Sequence, residues 1–595
     1  MKTKIVLAAA SLFMSLSSSA DELSLASNRV EAVWSGRLTY ESDTSLVLKS
    51  QSAEYSSGFR LLPPPGKTSF DLSTAKYIAV DLEGLANHQQ RICLQIKDAG
   101  GDTYVGAALN YGEKVTVKLP LPHDFIYAYP SGAKGVRTMD THHITNIAFM
   151  VVWPFEGQFN GLIHCRISNI RLAGTPDYKR HVAASAYLPF VDAYGQFRHA
   201  TWKGKITSDD DLRADLTRED LQLQSAPSSW DQYGGWASGP QLNATGHFRV
   251  QKVNGKWWLV TPSGHLFYSL GINVIKTDSD APNGNSHPDW YETAAQSSMT
   301  FPTWNLQKKF NKTNFYSDYY QFVIRRLNSW GINTIGNWSD GGLTNLGQKP
   351  YVLTLVSRPS GLPYLSSGGF YDSLDSTFAT KMKAAVAAAV AVSGSAASIA
   401  VNDPMCIGFF IDNELTFPSD SAYFEPYFKA CKEAIAAVAP NKLYLGCRFK
   451  GLRNSDQLWN AAAAWCDVVS ANSYVSSVAV HAQGSYAAPN IDRPIMHTEF
   501  HYGTLQRGMF SGGLCPVSDQ CERGRSYRRV VEGALKHPLF VGSHWFQYRD
   551  QPLVGRGDGE NYQIGFVDVC DRTYPQLTTA VREIAETMYN TRYSN

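Results

Sequence analysis

The stretch "IGFFIDNE", residues 407–414, decides how the second half of this chain is read. Ile407 to Ile411 carry apolar side chains or none, and Asp412, Asn413 and Glu414 follow without a break. A short, continuous apolar run fits a strand buried on both faces, as in a parallel sheet. The polar ending has two readings. It is either a solvated loop, or a strand end that aims a carboxylate at a substrate.

Similar runs recur through the rest of the chain. They are "HLFYSLGIN" (265–273), "GINTIGNW" (331–338), "PYVLTL" (350–355), "LYLGCRF" (443–449), "CDVVSANSY" (466–474), "PIMHTEF" (494–500) and "LFVGSHWFQYRD" (539–550). With 406–414 they make eight. Segments such as "YSDYYQFVIRRLNSW", "YFEPYFKACKEAIAAVAP" and "RSYRRVVEGALKHP" lie between them, with apolar residues at helical spacing. Strands alternating with helices mean a parallel sheet, and eight of them predict a (β/α)8 barrel over residues 191–595. The gap between the second and third runs is short, so its helix must be brief. No G-x-G-x-x-G follows any strand, which leaves a doubly wound nucleotide-binding sheet without support.

Residues 21–175 read differently. "YIAVDL", "ICLQI", "VTVKL" and "LIHCRI" alternate strictly, placing Ile78, Val80 and Leu82, or Ile92, Leu94 and Ile96, on one face. Several such strands predict a jelly-roll-like β-sandwich. A linker is expected over 176–190. Lys2 and Lys4, the run "IVLAAASLFMSL" and the small residues of "SSSA" have the form of a secretory signal peptide cleaved near Ala20. That predicts a secreted or periplasmic protein. The Ala-rich "KAAVAAAVAVSGSAASIAV" is weakly hydrophobic and broken by Ser-Gly, so a soluble helix is expected there and no membrane span.

Composition narrows the function classes. The 595 residues carry a formal charge of only +2, so nothing in the charge balance favours nucleic acid or an anionic membrane. Apolar residues make up 44 %, a globular composition. Aromatics reach 12 %, including 14 Trp, which suits stacking on sugar rings as well as large cores. The nine Cys show no metal-type spacing. Cys515–Cys521 and Cys93–Cys165 are the pairs that could form disulfides after export. No set of His, Glu and Asp has convincing metal spacing, since "HTEFH" is not H-E-x-x-H, and no cofactor is expected.

In a barrel of this kind the catalytic groups sit at the C-terminal strand ends. Those ends here carry Asn273, Asn337 with Trp338, Asn413 with Glu414, Arg448, Asn472 with Tyr474, Glu499 with His501, and Trp545 with Gln547. The fourth and seventh strands both end in Glu. Two carboxylates across a barrel mouth are what acid/base glycoside hydrolysis requires. Asp412, one residue before Asn413, points the other way and reads as a loop cap or a salt-bridge partner. His501 shares the face of Glu499 and either contacts sugar or is structural. Trp338, Trp545 and Tyr502 are candidates for sugar stacking, with core packing as the alternative. Glu560 and Asn561 in "GDGENYQ" form either a substrate-facing loop or a turn. Arg507 and Arg549 are candidates for binding hydroxyls or neutralising the glutamates.

Asn-Glu ending strand four and Glu ending strand seven resemble the clan of retaining (β/α)8 glycosidases. The segments at 230–273, "TEFHYGTLQRGMFSGGL" (498–514) and "GENYQIGFVDV" (559–569) further resemble glycoside hydrolase family 50, the β-agarases. That family joins a sandwich similar to a carbohydrate-binding module to a catalytic barrel. The resemblance implies a polysaccharide substrate of the agarose type, Glu414 as general acid/base and Glu499 as nucleophile. It implies Tyr474 as a hydrogen-bond donor to Glu499, Asn413 on a substrate hydroxyl, and Trp545 as a sugar platform. Oligomeric state, and endo or exo action, stay open.

Overall fold

The computed structural model describes residues 23–33, 35–50, 58–87, 90–121, 139–150, 163–176, 188–278, 287–366, 368–452, 454–475, 478 and 489–594. The expected signal peptide and most of the expected linker lie outside these residues. The chain divides into two compact units, the second beginning its long continuous segment at Leu188.

The first unit is a sandwich of two antiparallel five-stranded sheets. One has the spatial order Val30–Val33, Gly58–Leu61, Asn146–Met150, Gln90–Lys97, Asp102–Leu109. The other runs Gly36–Ser42, Ser45–Ser50, His164–Ala173, Tyr77–Gly84, Lys114–Pro120. The alternating residues read from sequence, including Ile78, Val80, Leu82, Ile92, Leu94 and Ile96, share one core. A one-residue slip would turn each such set to the other face and forfeit about 1.5–3 kcal/mol per side chain, so the register is strongly specified. The Cys93–Cys165 pairing does not form. Cys165 belongs to the shared core, whereas Cys93 packs with Ala148 in a separate cluster. The described cysteines form no disulfide; Cys515 is buried and Cys521 exposed.

In the second unit the barrel strands are Ser269–Ile272, Thr334–Ile335, Tyr351–Val356, Cys406–Ile411, a divided fifth strand, Val469–Asn472, Ile495–Phe500 and Phe540–Trp545. All neighbouring pairs are parallel. The fifth run is split into Leu443–Tyr444, which pairs with the fourth strand, and Phe449–Lys450, which pairs with the sixth. One segment thus carries both ends of the curled sheet and closes it. The split falls where Gly446 and Arg448 take left-handed φ values of 80° and 54°, which a regular strand does not tolerate.

Helices alternate with the strands as their spacing predicts. Tyr316–Trp330 buries Tyr319, Phe322, Val323, Leu327 and Trp330 along one stripe. It ends on Gly331 at φ 77°, where a Cβ would lie 2.3 Å from that of Ala585. Gly341–Thr344, between the second and third strands, is the brief helix expected there. The Ala-rich stretch forms Phe378–Ala391 and Ala396–Ala400, broken around Gly394. No helix among the described residues is long and apolar enough to cross a membrane. The run at 265–273 divides at Tyr268. Leu266–Phe267 completes a small antiparallel sheet with Arg249–Val253 and Lys256–Val260, and only Ser269–Ile272 enters the barrel. Phe248, Leu259 and Phe267 of this region pack with Val352, Ile407 and Met496.

Candidate active site

The fourth strand is buried along its whole length, Cys406 to Ile411. At its end the pleat is broken. Asp412 and Glu414 have φ of 66° and 50°, in the left-handed region that non-glycine residues rarely occupy. Asp412 therefore turns away, buried, and accepts hydrogen bonds from Arg358 N (2.6 Å), Tyr371 OH (2.7 Å) and Tyr427 OH (2.9 Å). It has no salt-bridge partner among the described residues; it caps the loop after the third strand. Asn413 and Glu414, adjacent in sequence, both line one cavity, which regular alternation would forbid. Trp338, Val274 and Arg448 at other strand ends are also left-handed. Such strain costs of order 1–3 kcal/mol per residue and gathers where geometry serves a site.

The cavity measures about 470 Å³. It receives Glu414, Glu499, Asn413, Trp338, Tyr474, His501 and Glu560 of the residues singled out from sequence. Val274, Lys276, Lys450, Leu514, Phe546, Gln547 and Arg556 complete the lining. A continuous polar network joins the two glutamates. Asn472 Nδ2 donates to Glu414 Oε1 (3.0 Å) and to Asn413 Oδ1 (3.1 Å). Arg448 Nε donates to Asn413 Oδ1 (2.8 Å), and its Nη2 donates to Glu499 Oε1. Tyr474 OH donates to the other oxygen of Glu499 at 2.6 Å. Thr498 Oγ1 fixes Asn472 in turn, at 2.8 Å.

The two carboxyls have unlike surroundings. Glu499 accepts a guanidinium on one oxygen and a phenol on the other. Glu414 has one neutral amide donor. Burial pushes the Glu414 carboxyl above its ordinary range, and the charge of Glu499 adds to this; the Asn472 hydrogen bond, Arg448 and Lys450 oppose it. Tyr474 is held protonated, its pKa raised by burial and by the Glu499 charge, so it remains a donor. Burial raises Glu560 as well, against Arg556 and a hydrogen bond from Gln551 (2.8 Å).

His501 lines the cavity but has both ring nitrogens engaged: Nδ1 with Phe546 O, and Nε2 accepting from Leu514 N. Burial lowers its pKa to about 3, so it is a neutral wall residue whose ring lies tilted against Tyr474, centroids 4.6 Å apart.

Four of the residues expected to bind substrate do not reach the cavity. Trp545 is fully buried, faces Phe500, Tyr527 and Phe566, and donates Nε1 to Ile564 O at 2.7 Å. Its neighbour His544 instead turns to Ser269, so strand alternation sends Trp545 to the helix layer. Asn337 ties the second strand to the third by exchanging hydrogen bonds with Thr354. Asn561 is buried and donates to Leu553 O, a loop-holding role. Tyr502 is buried too, its hydroxyl on Val475 O. Arg507 and Arg549 pair with Asp568 and Asp571 rather than with the glutamates. The cation that meets Glu499 is Arg448, which the sequence placed at a strand end without showing its target. Among the described residues no group of His, Cys, Asp and Glu is arranged to hold a metal ion.

A (β/α)8 barrel with two glutamates of unlike environment in its mouth defines a glycoside hydrolase scaffold. No family model matches the chain. Curated relatives are β-agarase B of Vibrio sp. (strain JT0107), 26 % identical over 87 % of this chain and 68 % of that protein, and β-agarase A of the same strain, 28 % identical over 94 % and 70 %. Among solved structures, the agarase AgWH50C superposes with a TM-score of 0.71 at 22 % identity, covering 97 % of this chain and 99 % of its own. An exo-β-agarase gives 0.70 at 22 % identity, over 96 % and 98 %. These structures share the fold from end to end. The chain is a glycoside hydrolase whose relatives, by sequence and by structure, are β-agarases.

Proposed function

We propose that the chain cleaves β-1,4-galactosidic linkages of agarose to neoagaro-oligosaccharides by a retaining double displacement. Glu414 is the general acid/base and Glu499 the nucleophile. The observation that carries this division is the contrast between the carboxyls. Glu499 sits between Arg448 and Tyr474, both donating to it. Glu414 is pushed toward its protonated form by burial beside a second carboxylate. An acid and a nucleophile at one pH need environments that separate them in this way.

In the first step Glu499 attacks the anomeric carbon while Glu414 gives its proton to the departing oxygen. In the second, Glu414 takes a proton from water, which displaces Glu499 from the sugar. Asn413, held by Arg448 and Asn472, presents its amide to a hydroxyl beside the reacting carbon, a contact that gains strength in the transition state. Trp338 offers the aromatic face for a sugar ring. The relatives' agarase activity supports the substrate class. The amino-terminal Lys2, Lys4 and apolar run support export, which places the enzyme where a polymeric substrate can reach it.

The test is a product profile of the purified protein on agarose, porphyran and carrageenan. Even-numbered neoagaro-oligosaccharides from agarose are expected, and Glu499→Gln is expected to bind agarose without turning it over. No product from agarose overturns the substrate assignment. Wild-type release of reducing sugar by Glu499→Gln overturns the site.

A further inference from the structure

The charges that line the cavity do not cancel locally. Glu499 is matched by Arg448 behind the wall. Glu560 is matched by Arg556 at 2.8 Å, which also holds Asp558 at 2.7 Å. Glu414, as the acid, enters the reaction neutral. Lys276 and Lys450 remain. Both line the cavity, and neither ammonium group makes a salt bridge or hydrogen bond among the described residues; Lys450 acts on Glu414 only through its charge.

Their backbones are fixed, while Lys450 is exposed and Lys276 half-buried. Lys276 follows the first barrel strand, and its carbonyl accepts from Arg549 Nη1 at 2.9 Å. Arg549 is itself anchored on buried Asp571 at 3.0 Å. Lys450 ends the fifth strand's second piece, paired with Asn472, the residue that holds Glu414. The first and fifth strands are opposite staves of an eight-membered ring. The two lysines therefore line the cavity from opposite staves, with Glu414 at the end of the strand beside that of Lys450.

A neutral galactan offers these groups hydroxyl acceptors but no opposite charge. We propose that the cavity accepts galactan chains bearing an anionic oxyanion substituent, with Lys450 and Lys276 reading that charge on sugar units flanking the scissile bond. A sulfate half-ester or a carboxylate on the sugar supplies the same chemistry: a fixed negative charge with acceptor oxygens. A lysine ammonium recognises it as a point charge, without demanding the planar geometry an arginine would. This rests on the reaction proposed above and specifies its substrate further.

The experiment uses matched oligosaccharides of one length: neutral, sulfated and carboxyl-bearing. kcat/KM is measured for the wild type, Lys276→Gln, Lys450→Gln and the double variant, at low and at about 1 M salt. For the wild type at low salt, at least one anionic substrate is expected to exceed the neutral one about tenfold. That preference should collapse at high salt, where screening acts over about 3 Å. It should fall at least tenfold in the double variant, read as the ratio of anionic to neutral kcat/KM. The sulfated and carboxyl-bearing arms identify which substituent is taken. Equal rates on neutral and anionic chains, or a preference untouched by salt or by the double variant, overturn the proposal and leave the agarase reading standing. Hydrolysis of none of the three overturns both.

Discussion

Replacing Tyr474 by Phe removes one oxygen from the site and little else. The Tyr474 hydroxyl lies 2.6 Å from Glu499 Oε2, and burial keeps it protonated. Its ring, nearly buried, lies tilted against His501, and a phenylalanine ring fills the same space. A hydrogen bond to a charged acceptor is worth about 1.5–3 kcal/mol. If it acts on the nucleophile in the transition state, its loss lowers kcat/KM by roughly 10- to 150-fold, at about 1.4 kcal/mol per decade. The fold should scarcely notice, because Glu499 keeps Arg448 and the ring keeps its packing. The assay pairs steady-state kinetics on agaro-oligosaccharides with thermal unfolding. kcat/KM within threefold of wild type would show that the hydroxyl does not serve the working carboxylate. A loss of activity that only tracks a fall in Tm would give Tyr474 a structural role instead.

Arg448→Met strips Glu499 of its cation and Asn413 of its donor together, so kcat/KM should fall about 10²–10³-fold on the same substrates; retention of a third of wild-type activity contradicts that. Asp571 is fully buried among Arg326, Arg549 and Lys309, and their charges hold its carboxyl well below the usual range. Asp571→Asn leaves those cations short of one anion and should cost about 3–5 kcal/mol in denaturant unfolding; a change under 1 kcal/mol refutes the network's role. His544 is buried on Ser269, and burial lowers its pKa to about 3 against about 6.5 unfolded. The unfolded state then binds the proton first, so this residue's contribution is whole above pH 6.5 and is lost as pH falls toward 3. In His544→Gln, stability should fall less steeply between pH 6.5 and 4, by about 1.4 kcal/mol per unit; parallel curves for the two proteins refute it.

Strand order and the glutamate pair were legible because both rest on local signals. Continuous apolar runs such as Cys406–Ile411 announce buried strands, and carboxylates at their ends announce a mouth. The sandwich was legible for the same reason, since Ile78, Val80 and Leu82 alternate as a half-buried strand must. The errors fall where orientation depends on one residue of phase or on a non-local partner. Trp545 sits at a strand end, but one pleat step sends it to the helix layer. Asn337 and Asn561 carry the right groups for sugar binding and spend them on Thr354 and on a loop carbonyl. Arg448 was visible as a polar strand end, yet nothing in its neighbourhood in sequence points to Glu499. Only closure of the barrel through the divided fifth strand brings the two together. Left-handed φ values at Asp412 and Glu414 are equally silent in sequence, and they are what lets Asn413 and Glu414 share one cavity.

The division of labour between Glu414 and Glu499 is tested most directly by azide rescue. Glu414→Ala and Glu499→Ala are each assayed on an activated aryl β-galactoside or agaro-oligosaccharide with azide, and the anomeric configuration of the galactosyl azide is read by NMR. With Glu499 as nucleophile, azide in Glu414→Ala enters after the covalent intermediate and yields the β-azide. In Glu499→Ala it attacks in place of the missing carboxylate and yields the α-azide. The opposite assignment of configurations, or a β-azide from Glu499→Ala, contradicts the account.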